Sequence, residues 1–117
     1  MSTPRSSPDD AATRALAALV EQIDRSVEEL QRARERAVAL LADREAGHPW
    51  LELVTAEARP LVVESISSVL SALATAGHTW RREEAAALRR EQVSINRIAA
   101  LFGVTRQRIS ALLRDGA

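Results

Sequence analysis

The chain is 117 residues long, carries sixteen arginines against sixteen acids for a formal net charge of zero, and has no lysine and no cysteine. That length accommodates one compact domain or two small units, and the missing thiols exclude a disulfide framework and thiol chemistry, which suits a reducing cytoplasm. No apolar run approaches the ~20 residues that a membrane span requires, and no signal-peptide core is visible, so no membrane partner is expected.

The zero net charge is unevenly shared. Residues 1–78 hold eight Arg against twelve Asp and Glu, a balance of −4, whereas residues 79–117 hold eight Arg against four acids, a balance of +4. A basic C-terminal end is the polarity expected of a module that meets a polyanion, and an all-arginine complement can grip phosphates bidentately.

In chain order, Met1 to Ser7 is small and polar and is expected to be a disordered tail. Ser7-Pro8-Asp9-Asp10 reads as a helix start, with a cap, a proline in the first turn and acids at the positive end of the dipole. No helix breaker follows until Ala46. Leu16, Leu19, Ile23, Leu30, Ala33, Ala37 and Leu40 occupy a and d positions of one continuous heptad, with Ser26 the one polar member, and Val20, Val27 and Leu41 widen the stripe onto e. Glu21–Arg25 and Glu28–Arg32 have i, i+4 spacing for ion pairs. Such a helix, roughly 37 residues long within 8–47, would run about 55 Å at 1.5 Å per residue and outreach any core this chain can build, so it needs a partner. The stripe is too wide and too alanine-rich for a strict two-stranded zipper. A homodimeric helical bundle is expected, with Leu16, Leu19, Ile23, Val27, Leu30, Ala37 and Leu40 as its dimerisation residues. The alternative is one long helix folding back on the later helices.

Two echoes, Ala46-Gly47-His48-Pro49-Trp50 and Ala76-Gly77-His78-Thr79-Trp80, read as repeated helix stops, each ending one helix and opening the next. Residues 48–78 would then be connecting helices, with Pro60 starting or kinking one of them. The tryptophans are expected to anchor helix ends to the core. The two histidines lack a cysteine or carboxylate cluster, so no metal site is expected.

Thr79 would begin the last unit, residues 79–117, anchored first by Trp80, Ala85 and Leu88. Its second part, Ser94 to Arg114, reads SINRIAALFGVTRQRISALLR. Ser94 and Thr105 are helix caps, Gly103 can leave a helix with positive φ, and Ala99 is small where two helix axes would cross. Ile98, Phe102, Val104, Ile109, Leu112 and Leu113 can close a small core. The order Ala99, Gly103, Val104, Thr105, Ile109 resembles the helix-turn-helix of the homeodomain-like group, as in bacterial site-specific recombinases, sigma-factor C-terminal domains and small repressors. The resemblance covers roughly a fifth of the chain; Gln92 stands where relatives often carry glycine. The resemblance implies a tri-helical helix-turn-helix unit, and with the apolar stripe of residues 8–47 the expected fold is all-α, a long N-terminal helix preceding that unit.

On a helical wheel, Gln107, Ala111 and Arg114 lie opposite the apolar side of the second motif helix, with Arg108 and Ser110 flanking them. Arginine suits guanine, glutamine adenine and alanine a thymine methyl in the major groove. Ser94, Arg97, Thr105 and Arg106 sit where phosphates or a first base would lie. The expected partner is therefore double-stranded DNA, bound by a homodimeric transcriptional regulator or repressor in the cytoplasm, at the nucleoid when bound. A helical adaptor of the transcription machinery, using the same motif for protein contacts, is the alternative. No catalytic inventory, cofactor motif or ligand pocket is legible, so neither an enzyme nor a small-molecule effector is expected.

Overall fold

The computed structural model describes residues 10–115, so the expected tail Met1–Ser7 and the start at Ser7-Pro8-Asp9 lie outside the described residues. The described chain is all-helical: α1 (Ala11–Glu45), α2 (Trp50–Ala56), α3 (Val62–Arg90), α4 (Ile95–Phe102) and α5 (Arg106–Asp115). No described helix is long and apolar enough to cross a membrane.

Asp10 starts α1 by accepting from both the amide and the hydroxyl of Thr13, each at 2.8 Å. The helix ends at a left-handed stop: Gly47 has φ +102°, its amide donates to Arg44 O at 3.0 Å, and the His48 amide donates to Asp43 O at 3.2 Å. The same device closes α3, where Gln92 (φ +68°) donates to Arg89 O and Val93 to Leu88 O, both at 3.0 Å. A glutamine thus takes a left-handed position that glycine would occupy at no steric cost.

The second echo is no helix stop. α3 runs unbroken through Gly77, and Thr79 caps nothing; its hydroxyl donates back to Thr75 O at 3.0 Å. Glycine permits a left-handed turn without demanding one, and its cost inside a helix, about 1 kcal/mol relative to alanine, is small beside the packing of a long apolar face. Pro60 neither opens nor kinks a helix: α2 has ended at Ala56 and α3 begins at Val62. Neither the Glu21–Arg25 nor the Glu28–Arg32 ion pair forms among the described residues; Arg25 donates to Gln22 Oε1 at 3.1 Å instead.

Two compact units divide the chain. In Glu21–Ala74, the residues taken out of water are Ser26 and Ala33 of α1, Leu53 of α2 and Val69 of α3. Two of these are small, so α1 can come close to its neighbours, and Gln22 Nε2 donates to the buried Ser26 hydroxyl at 3.1 Å. Arg36 reaches from α1 to the α2–α3 link, donating to Ala58 O at 2.7 Å and standing 3.8 Å from Glu57. Glu57 accepts from the first amide of α3, Val62, at 2.8 Å. Glu64 completes the cap by accepting from Leu61 N at 2.8 Å and from Arg59 at 2.7 Å. The Leu61 amide, and then Arg59, hold its carboxyl below the ordinary value.

The other unit combines the described residues of Met1–Val20 and Thr75–Ala117. Its core is Ala85, Ile98, Ala99, Ile109 and Leu112, flanked by Leu88, Val93, Ile95, Phe102 and Leu113. Val104, expected in that core, is exposed, because it follows the left-handed Gly103 and the turn carries it outward.

Ile98 is fully buried, so Ile98→Ala should cost about 2–5 kcal/mol in a urea melt. Gly103→Val should destabilise as well, because a β-branched residue resists φ +68°. Since the Glu64 pKa is depressed in the fold, its stabilisation is present above the unfolded carboxylate pKa and is lost as pH falls through the folded one. The melting difference between wild type and Glu64→Gln should therefore be seen at neutral pH and close in acid.

Candidate nucleic-acid interface

The C-terminal half of α3, with α4 and α5, positions every residue expected to touch DNA. Ser94 is the N-cap of α4, its hydroxyl accepting from Arg97 N at 3.1 Å. Gly103, at φ +68° and ψ +33°, ends that helix, its amide donating to Ala100 O at 3.3 Å and the Val104 amide to Ala99 O at 3.0 Å. Thr105 then starts α5 by accepting from Arg108 N at 3.1 Å. Two short helices joined by Gly103-Val104-Thr105 are thus pinned at both starts by side-chain hydroxyls.

With Ile109 and Leu112 buried beneath α5, the remaining faces of that helix point out of the core. Arg106, Gln107, Arg108 and Arg114 are exposed, Ser110 and Ala111 half-buried; Ser94, Arg97 and Thr105 are exposed as well. Among the described residues, the side chains of Arg97, Arg106, Arg108 and Arg114 make no hydrogen bond and no ion pair. From Gln92 onward, Asp115 is the one acid among the described residues. Four unpaired guanidinium groups against a single carboxylate make this the locally basic part of the fold.

Arg108 and Ala111 differ from the rest of the set. They line an open cleft of about 400 Å³ with His78 and Arg81 of α3, floored by Phe102, Ile109 and Leu112. The Arg81 guanidinium lies 4.2 Å from the Phe102 ring centroid and 3.1 Å from Glu84. Cation–π stacking over the half-buried ring explains why Phe102 needs no deeper burial. No sequence signal pointed to this cleft, because His78 and Arg81 precede α4 in the chain and reach it only through the packing of α3 on α5.

On α1 the expected dimerisation residues part into two groups. Leu19 and Leu40 are half-buried, on the edge that also buries Ser26 and Ala33. Leu16, Ile23, Val27, Leu30 and Ala37 are exposed, and Val20 and Leu41 with them. The chain's own packing takes up one edge of the wide stripe and leaves the other open.

Neither tryptophan anchors as expected. Trp50 is exposed with Arg44 stacked 5.4 Å from its ring, and Trp80 sits inside α3, not at a helix end. His48 Nδ1 lies 3.2 Å from Glu52, and no group of three potential metal ligands occurs among the described residues. No family model matches the chain, and no curated protein or solved structure matches it.

The hydroxyl caps are testable directly. Ser94→Ala and Thr105→Ala should each lower stability by about 1 kcal/mol in equilibrium denaturation, since each leaves an exposed helix start without its acceptor.

Proposed function

We propose that α4, the turn and α5, together with the C-terminal half of α3, act as a helix-turn-helix that binds double-stranded DNA, in a homodimeric transcriptional regulator or repressor of the bacterial cytoplasm. The observation that carries this reading is the outer surface of α4 and α5, with exposed, unpaired Arg97, Arg106, Arg108 and Arg114 around Gln107. In this reading α5 enters the major groove. Gln107 and Arg114 face base edges or adjacent phosphates, Ala111 supplies a close apolar approach, and Ser110 lies beside them. Ser94, Arg97, Thr105 and Arg106 hold the phosphate backbone, and Arg108 flanks it. Dimerisation uses the open edge of α1, with Leu16, Ile23, Val27, Leu30 and Ala37; Leu19 and Leu40 support that edge from within the chain.

The adaptor reading draws on a different observation. Leu101 and Val104 expose apolar surface beside the turn, and the cleft under Arg108 has an apolar floor, as a protein ligand would favour.

Binding to a site selected from a random duplex library, titrated with salt, separates the two. Gln107→Ala should change the preferred base at one position of each half-site by about 1–3 kcal/mol. Arg106→Ala should weaken all sequences alike and flatten the log-affinity against log-salt slope by about one unit for each phosphate that Arg106 neutralises. Absence of a salt-dependent duplex complex would overturn DNA binding in favour of protein contacts.

A further inference from the structure

The open edge of α1 has a finer order than a hydrophobic stripe. Leu16, Val20, Ile23, Val27, Leu30, Arg34, Ala37 and Leu41 are all exposed and follow one another at alternating spacings of four and three. This is a heptad seam in its own right, displaced from the edge that the chain itself buries at Ser26 and Ala33. The six aliphatic residues larger than alanine are 41–57% exposed in the single chain, each at a position where a coiled-coil seam places a knob. Arg34 is the one charged member. Among the described residues the side chains of neither Arg34 nor Asp24 make a hydrogen bond or ion pair.

We infer that this seam binds a second copy of itself, with the two α1 helices antiparallel and centred between Glu28 and Glu29. The inference rests on the self-association in the functional reading above and adds its surface, direction and register. In an antiparallel seam each residue at the start of a four-residue step faces one at the start of a three-residue step. Only one register pairs all eight: Leu16 with the partner's Leu41, Val20 with the partner's Ala37, Ile23 with the partner's Arg34, and Val27 with the partner's Leu30. Each pair is then repeated by the two-fold axis.

Charge decides the direction. A parallel, in-register pair places Arg34 against the partner's Arg34, two guanidinium groups facing each other across an apolar seam, where like charges are costly. The antiparallel register places Arg34 against Ile23, whose chain neighbour is the unpartnered Asp24. The guanidinium can cover the isoleucine with its stem and reach the partner's Asp24 with its head. Both free charges acquire partners in that one step.

Antiparallel pairing sets the two Leu16 side chains apart by the rise between Leu16 and Leu41, about 37 Å at 1.5 Å per residue; parallel pairing brings them together. The chain has no cysteine, so engineered thiols report without interference. Full-length Leu16→Cys and Leu41→Cys chains, alone and co-refolded, are treated with diamide in the absence of DNA. The mixture should give a disulfide-linked dimer joining one chain of each kind, and neither variant alone should. Cross-linking of Leu16→Cys with itself overturns the antiparallel direction while sparing self-association. No cross-link in any arm, with one chain mass in sedimentation equilibrium, overturns both. As a second measurement, Arg34→Glu should weaken the dimer at least tenfold and Asp24→Arg added to it should restore the affinity; no rescue overturns the register. Since none of these readouts involves DNA, a chain that cross-links as expected yet binds no duplex overturns the DNA reading alone.

Discussion

The architecture depends on how its helices are made to stop. Three carry the same left-handed stop, at Gly47, Gln92 and Gly103, with paired amide-to-carbonyl bonds that satisfy the last carbonyls of the helix while turning the chain. The stops at Gln92 and Gly103 stand only eleven residues apart, which makes α4 short enough to pack Ile98 and Ala99 into the same small core as Ile109 and Leu112. A stop that failed at Gly103 would let α4 run on, and the face bearing Gln107 and Arg114 would rotate with the extended helix instead of turning with a new one. The hydroxyls of Ser94 and Thr105 act at the opposite ends of the same segments, so both the start and the stop of α4 are fixed locally.

Strictly local signals were legible in the sequence for that reason. The two hydroxyl caps, the left-handed Gly103, the buried Ile98, Ala99, Ile109 and Leu112, and the end of α1 at Gly47 each follow from a residue and its nearest neighbours. What could not be read depends on distant packing. Gly77 and Gly47 stand in the same local pattern, yet one lies within α3 and the other ends α1, because a glycine's freedom is settled by what the flanking helix buries. Gln92 bears the strain of φ +68° against propensity, since Val93 and Leu88 beside it are packed on the core.

Periodicity likewise revealed the width of the α1 stripe without telling which edge the chain would use itself. Ser26 looked like an interruption of the apolar pattern and Ala33 like a weak member of it. Both are among the most buried residues of the helix, because a small residue allows a close approach that leucine would hold open. The larger side chains at Leu16, Ile23 and Leu30 fall on the edge left to solvent. The cleft beside α5 was unreadable for the same reason: His78 and Arg81 meet Arg108 and Ala111 only when α3 continues past the glycine.

Arginine partnering links the two ends of the functional reading. In Glu21–Ala74 several arginines are engaged within the chain: Arg36 at the α2–α3 link, Arg44 against Trp50 and Arg59 on Glu64. On α4 and α5 none of the four guanidinium groups is engaged. A chain of zero net charge has little long-range attraction for a polyanion, so under the proposed DNA reading those four groups would act at close range. If each met one phosphate, a single copy would release few counterions, with a salt slope of about −3.6, and would bind weakly at physiological salt. Two copies held as one body double that slope to about −7 and make the second engagement intramolecular, which raises avidity without any new interaction. The exposed seam on α1 and the unpaired arginines on α4 and α5 are therefore complementary parts of one proposal: if α4 and α5 bind DNA, a face this lightly charged gains most from a second copy, and the proposed α1 pairing would supply it.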